Sequence, residues 1–197
     1  MSSSSNTATL LSATDSLSGL KEDTKKVKEE AKSLKEEAKE IIDASDEVTL
    51  DFNATYETEV SFAPFPEEGI RLVTVEGKSD DAPFGLTHFE STNYSTLPDE
   101  EGNFKFSGDP EDFGLEGEEV LTDTFSGDGA NKLFGVSEGT GDIDFEEEIV
   151  SGSGTIDVTG GKGIFKDASG TLEFEEMETL ADMEGTATVT GSISVPI

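Results

Sequence analysis

One histidine, two tyrosines and no cysteine are the chain's scarce reactive groups, set among 45 Asp and Glu residues. A Ser-His-Asp triad or a two-histidine metal site would have to run through His88, and a lone histidine in an extended segment satisfies neither. Without cysteine there is no disulfide, no thiolate nucleophile, and no Cys-bound zinc or iron–sulfur site. Tyr56 and Tyr94 each carry a phenol that could orient a ligand from a sheet wall, or simply pack with its hydroxyl satisfied. These three, Tyr56, His88 and Tyr94, are the candidate ligand-binding residues.

The carboxylates are too many for a catalytic pair to be chosen. Acid–base work of the glycosidase kind needs two opposed groups about 5–10 Å apart in a cleft. The clusters at 146–148 and 173–184 offer oxygen ligands to divalent ions but define no geometry. SGDGANKLF (126–134) is close to one β-roll nonapeptide, with Ser126 in place of its first glycine and Asn131 in place of its aspartate. A β-roll shares each calcium between successive turns, so a single copy reads first as a turn. Calcium is the one candidate cofactor; otherwise none is expected, and no metal residues are assigned.

The net charge of −32 repels phosphates and argues against nucleic acid or an anionic membrane as partner. Residues 1–44 hold seven Lys and nine Asp or Glu, so six basic and 36 acidic residues fall in the remainder. The acidity therefore belongs to the part that follows. Solubility in a salt-rich medium, loose cation binding and mimicry of a polyanion are its three readings.

Residues 1–18 are rich in Ser and Thr and are expected to be a disordered tail. The opening has neither a basic n-region nor a long apolar run. A cytoplasmic location is the default, with leaderless export to the surface or medium as the other route. Over 19–44, Leu20, Thr24, Val27, Ala31, Leu34, Ala38 and Ile41 recur at alternating spacings of four and three. This is an amphipathic heptad helix with a thin seam, suited either to packing or to forming a homo-oligomer.

From Val48 the period becomes two. Val48, Leu50, Phe52, Ala54, Tyr56, Val60 and Phe62 share one face, and Thr49, Asp51, Asn53, Thr55, Glu57, Glu59 and Ser61 the other. Further extended segments follow at 70–76, 84–95, 104–106, 120–125, 132–137, 141–145, 150–159, 163–165, 171–175 and 185–195, mostly separated by Gly, Asp or Ser turns. Residues 45–197 are thus expected to be all-β, an antiparallel barrel of about eight strands. Closure removes exposed edges, and glycines allow the strands to coil.

SGSGTIDVTGGKGIFKDASGTLEF (151–174) carries six glycines within such alternation. Gly160 and Gly161 are expected to form the turn or bulge between adjacent strands, and Gly163 and Gly170 to relieve bends. The stretch resembles the strand–turn–strand signature of allene oxide cyclase and dirigent-like barrels and their bacterial relatives. Gly152, Gly154, Ile156, Val158, Thr159, Gly160, Gly161, Gly163, Phe165, Ala168 and Gly170 match. The segments DAPFGLTHFESTNYS and LTDTFSGDGANKLFG resemble the cyanobacterial-type branch. The resemblance implies an eight-stranded antiparallel barrel whose mouth takes hydrophobic small molecules. It transfers no catalytic residue.

Two functions follow as expectations. One is a non-enzymatic barrel that binds a small hydrophobic ligand or serves as an acidic structural or surface protein, assembling through the N-terminal helix. The other is an isomerase or cyclase-like enzyme that orients an unsaturated lipid or a phenolic substrate in the barrel mouth.

Overall fold

Alternation of apolar and polar residues over long runs demands a sheet with one buried and one wet face, and closing such a sheet leaves no edge to protect. The computed structural model of the chain describes Val27, Lys28, Lys32 and residues 47–197. Those first three are helical; the expected tail and the rest of the expected helix lie outside the described residues.

Among the described residues there are nine strands: β1 (Glu47–Pro64), β2 (Ile70–Lys78), β3 (His88–Thr96), β4 (Phe104–Ser107), β5 (Asp123–Ser126), β6 (Lys132–Asp144), β7 (Ile149–Lys162), β8 (Ser169–Thr179) and β9 (Glu184–Pro196). All pair antiparallel in one sheet, ordered β2-β1-β9-β8-β7-β6-β4-β3-β5. The sheet closes on itself because β2 also pairs with β3 and β5 also pairs with β6. About eight strands were expected. The ninth arises because β4 and β5 follow one another in the same gap: β5 meets His88–Glu90 of β3, and β4 meets Tyr94 and Ser95.

Two further differences from the expectation have simple causes. The segments 132–137 and 141–145 belong to one strand, β6, because Gly139 and Gly141 face Gly154 and Gly152 across the β6–β7 ladder and leave its pairing unbroken. The segment 163–165 is a one-turn 3-10 helix, Gly163–Phe165. Gly163 opens it at φ 67°, a left-handed conformation that suits glycine.

Inside the ring, one end is filled. Phe125 packs against Phe89 with ring centroids 4.6 Å apart and edge-on against Phe52 at 5.6 Å. Ile156, Leu172, Val189 and Ile193 complete this core. Two short turns seal it: Phe84 of the first (Pro83–Gly85) and Phe165 of the second meet at 5.6 Å, nearly perpendicular. Leu86 and Phe165 are completely buried.

Candidate functional site: a half-filled ring with a partly polar lining

The opposite end is not filled. A cavity of about 140 Å³ lies within the ring, reached from the ends of β1, β3, β6 and β8 and the starts of β2, β4, β7 and β9. Its walls are largely apolar, formed by residues such as Val60, Val73, Val75, Phe106, Phe174 and Val189. Partly exposed Phe62, Ile143, Val150, Leu180 and Met183 rim it. Arg71 sits with them, its guanidinium 4.1 Å from the Phe62 ring centre and 6.0 Å from that of Phe104, a stacked cation over aromatic faces. Its Nε is buried without a hydrogen-bond partner, and burial lowers its pKa from the ordinary arginine value.

Glycines make this space. A Cβ on Gly139 would lie 2.3 Å from the Ser153 carbonyl oxygen and 2.8 Å from the tip of the Phe106 ring. A Cβ on Gly141 would lie 2.3 Å from the Phe104 ring, and one on Gly152 would lie 2.5 Å from a Glu176 carboxylate oxygen. The facing glycines of β6 and β7 thus let two phenylalanines and a glutamate fold inward.

Part of the cavity lining is polar. Strand alternation turns Ser91 and Asn93 of β3, Ser137 of β6, and Glu176 and Glu178 of β8 into the lining. Asp123, on the same face of β5 as Phe125, lies behind the serines and is 0% exposed. Asn93 Nδ2 donates to Ser91 Oγ at 2.8 Å, and Ser91 Oγ donates to Asp123 Oδ1 at 2.5 Å. Ser137 Oγ lies 3.1 Å from Asn93 Oδ1 and 3.3 Å from Asp123 Oδ1, with one proton to give to either. Asp123 Oδ2 is buried with no partner. Thr58 Oγ1 donates to Glu178 Oε1 at 3.0 Å, and Glu178 is only 2% exposed.

Burial without a counter-charge favours the neutral acid. It pushes Asp123 up to about 7, partly opposed by the Ser91 and Ser137 hydroxyls. Glu178 is pushed up to about 7 by burial against the pull of Thr58. Glu176 rises to about 8 through burial and then through the charges of Glu178 and Asp123. Near neutrality the protonated and ionised forms of these groups are both within reach. Such a group can donate a hydrogen bond from a protonated carboxyl and accept one at an ionised carboxyl.

None of the three residues singled out by scarcity lines this cavity, and the fold does not bring them together. Tyr56 is completely buried in the filled end, where its hydroxyl donates to the Leu86 carbonyl at 2.8 Å; burial raises its pKa. Tyr94 alternates with Asn93 and Ser95 and so faces outward, beneath a loop. Its hydroxyl donates to the Glu119 carbonyl at 2.9 Å, and its ring packs edge-on against Phe65 at 5.3 Å. His88 is exposed at the start of β3, its Nδ1 3.0 Å from Thr87 Oγ1.

The glycines of the motif are distributed along β7, the turn and β8. Phe134 pairs with Gly160 but Gly135 with Val158, so Thr159 is unmatched and Gly160, at φ 132°, forms a bulge. Gly161 pairs with Leu133 at the end of β7, and Gly170 pairs with Val158 and Ile193 at the start of β8. In the 126–134 segment, Asn131 braces two turns: its Nδ2 donates to the Phe84 carbonyl at 3.1 Å and its Oδ1 accepts from the Ile164 N–H at 3.2 Å. The oxygen that would face a calcium is engaged there.

What sequence reasoning missed has a signal. Thr58, Ser91, Asn93, Asp123, Ser137, Glu176 and Glu178 are polar residues standing in the apolar phase of their strands. Each interrupts a period-two stripe at the position where burial is expected.

No protein-family model matches the chain. No curated protein does either. A solved structure of a pterocarpan synthase dirigent protein is similar to this chain with a TM-score of 0.42 and 11% identity, covering 77% of this chain and 93% of that one.

Proposed function

We propose that the closed sheet acts as a barrel that binds one small, mostly apolar molecule in its unfilled end, holding a polar group of that molecule against Ser91, Asn93 and Glu176 of the lining. The observation that carries this reading is an apolar-walled space within a sheet whose other end is tightly packed. Its volume of about 140 Å³ is close to an engineered apolar cavity of about 150 Å³ that takes benzene. Binding needs no bond to be made or broken, so the protein works as a carrier or orienting module.

Toluene is a suitable probe, followed by ligand-observed NMR on the full chain. Saturable binding is expected, and Ala187→Leu, which adds bulk to a cavity wall that is 1% exposed, should abolish it without unfolding the protein. Binding that persists unchanged in that variant would place the ligand elsewhere and overturn the reading.

The second reading is an isomerase or cyclase-like enzyme, favoured by Asp123, Glu176 and Glu178, whose protonated and ionised forms are both within reach near neutrality. A protonated carboxyl could polarise a substrate oxygen while an ionised one accepts a proton from carbon. Loss of turnover of an unsaturated substrate in Glu176→Gln, with toluene binding retained, is the result that would raise it above the first.

A further inference from the structure

The cavity holds more anionic groups than it has charge to match. Of the strands around it, β8 contributes Glu176 and Glu178, and β5 places Asp123 behind the serines. Strand β2 contributes Arg71, while β1, β3, β4, β6, β7 and β9 contribute no ionisable side chain to the lining among the described residues. Arg71 stands at the mouth, its guanidinium laid on Phe62. The inner carboxyls therefore have hydroxyl and amide neighbours but no close cation. Asp123 carries the sharpest mark of this: one oxygen is hydrogen-bonded, and the other is buried and empty-handed. Asp123 lies outside the lining, so it acts on a cation in the cavity through its charge and not by direct contact.

We infer that the cavity selects a molecule with a ring-sized apolar body and one protonated amine, the ammonium seated at Glu176 and Glu178, with the charge of Asp123 behind the serines. This rests on the binding reading above and names its ligand class. An ammonium supplies three donors and a positive charge on a compact head, which is what the under-matched carboxyls require. The rings of Phe89, Phe106 and Phe174 line the same space and offer faces to a cation and its apolar body. Outside, the net charge of −32 draws cations toward the mouth and repels anions. A neutral hydrogen-bond acceptor would instead need the carboxyls protonated, and so would show the opposite dependence on pH.

The experiment is displacement of toluene from the full chain by three near-isosteric probes: benzylammonium, benzyl alcohol and benzoate. It is run in about 0.15 M salt to screen the outer surface. At about pH 8.5 benzylammonium should displace toluene at least about tenfold more effectively than benzyl alcohol, with benzoate weakest. The advantage should shrink toward about pH 6, where the carboxyls hold their protons. Calorimetric heats in buffers of different ionisation enthalpy should report proton release on binding. Glu176→Gln should cut the advantage of benzylammonium over benzyl alcohol to below about threefold. Asp123→Asn should do the same if it folds; if it does not, Glu176→Gln decides alone.

Equal or better displacement by the alcohol or benzoate, or an ammonium advantage that does not grow with pH, would overturn the inference while leaving the apolar cavity intact. Failure of toluene itself to bind would remove both readings.

Discussion

The two ends of the closed sheet are built from the same strands and the same alternation, yet one is a packed core and the other encloses a cavity. At the filled end, inward positions carry Phe52, Tyr56, Phe89, Phe125, Leu172 and Ile193, and two turns bring Leu86 and Phe165 down as a lid. At the open end, the same strands present Thr58, Ser91, Asn93, Ser137, Glu176 and Glu178, and the facing glycines of β6 and β7 hold back wall volume. Close packing is thereby concentrated at one end, and the cavity with its buried polar groups lies at the other. The inward residues turn polar partway along β3, β6 and β8, at Ser91, Ser137 and Glu176.

The largest effect should come from deepening that contrast. Phe125→Ala removes the ring on which three other aromatics converge and should destabilise by about 3–5 kcal/mol in urea titrations. Phe104→Ala, at the open end and only half-buried, should destabilise by less than about half of that. Equal losses would mean that the two ends are packed alike.

Next in size is the response to pH. Asp123, Glu176 and Glu178 have folded-state values of about 7 to 8 against ordinary values of 3.8 and 4.5. Between those limits the folded protein binds more protons than the unfolded chain, so their contribution is complete below the unfolded values and is lost as pH rises from there through the folded values of about 7 to 8. Each group contributes a slope of up to about 1.4 kcal/mol per pH unit across that window. Chemical denaturation at about pH 5 and about pH 8.5 should therefore show the protein weaker at the higher pH. Glu176→Gln should flatten the slope, which separates it from repulsion among the many surface carboxylates.

Glycine tests follow. Gly139→Ala sets a methyl against a backbone carbonyl and a phenylalanine ring and should destabilise by about 1–3 kcal/mol. Gly152→Ala meets only the Glu176 side chain, a flexible neighbour. Its stability loss should be smaller, and its main effect should be weaker toluene binding. The smallest effects belong to the residues that looked most chemical. Tyr56→Phe leaves the Leu86 carbonyl without its donor and should cost about 1 kcal/mol. His88→Ala, at an exposed strand end, should change stability by less than about 0.5 kcal/mol and ligand binding not at all.

Rarity was a poor guide to the site. His88, Tyr56 and Tyr94 stand out in a chain with few such residues, but strand phase sends Tyr94 outward, leaves His88 at an exposed end and carries Tyr56 into the packed core. The acidic run from Glu173 to Glu184 looked uniform, yet period two divides it. Glu173 and Glu175 lie on the wet face, whereas Glu176 and Glu178 face the interior. The interruption of the apolar stripe at Thr58 in β1 and at Asp123 in β5 was legible, but it gains meaning only once the strands are laid side by side.

What the sequence determined alone is the local grammar: the onset of alternation at Val48, the all-β character of 47–197, and the glycine-rich stretch as part of a sheet rather than a phosphate loop. These depend on contacts a few residues apart and on backbone preference. What only the tertiary structure decided is register and closure. Whether Gly141 faces Gly152, whether Asp123 comes within reach of Ser91 and Ser137, and whether nine strands share eight places in a ring are long-range outcomes. They depend on how each strand's phase meets its neighbour's, because a slip of one residue would turn every buried carboxyl out to water.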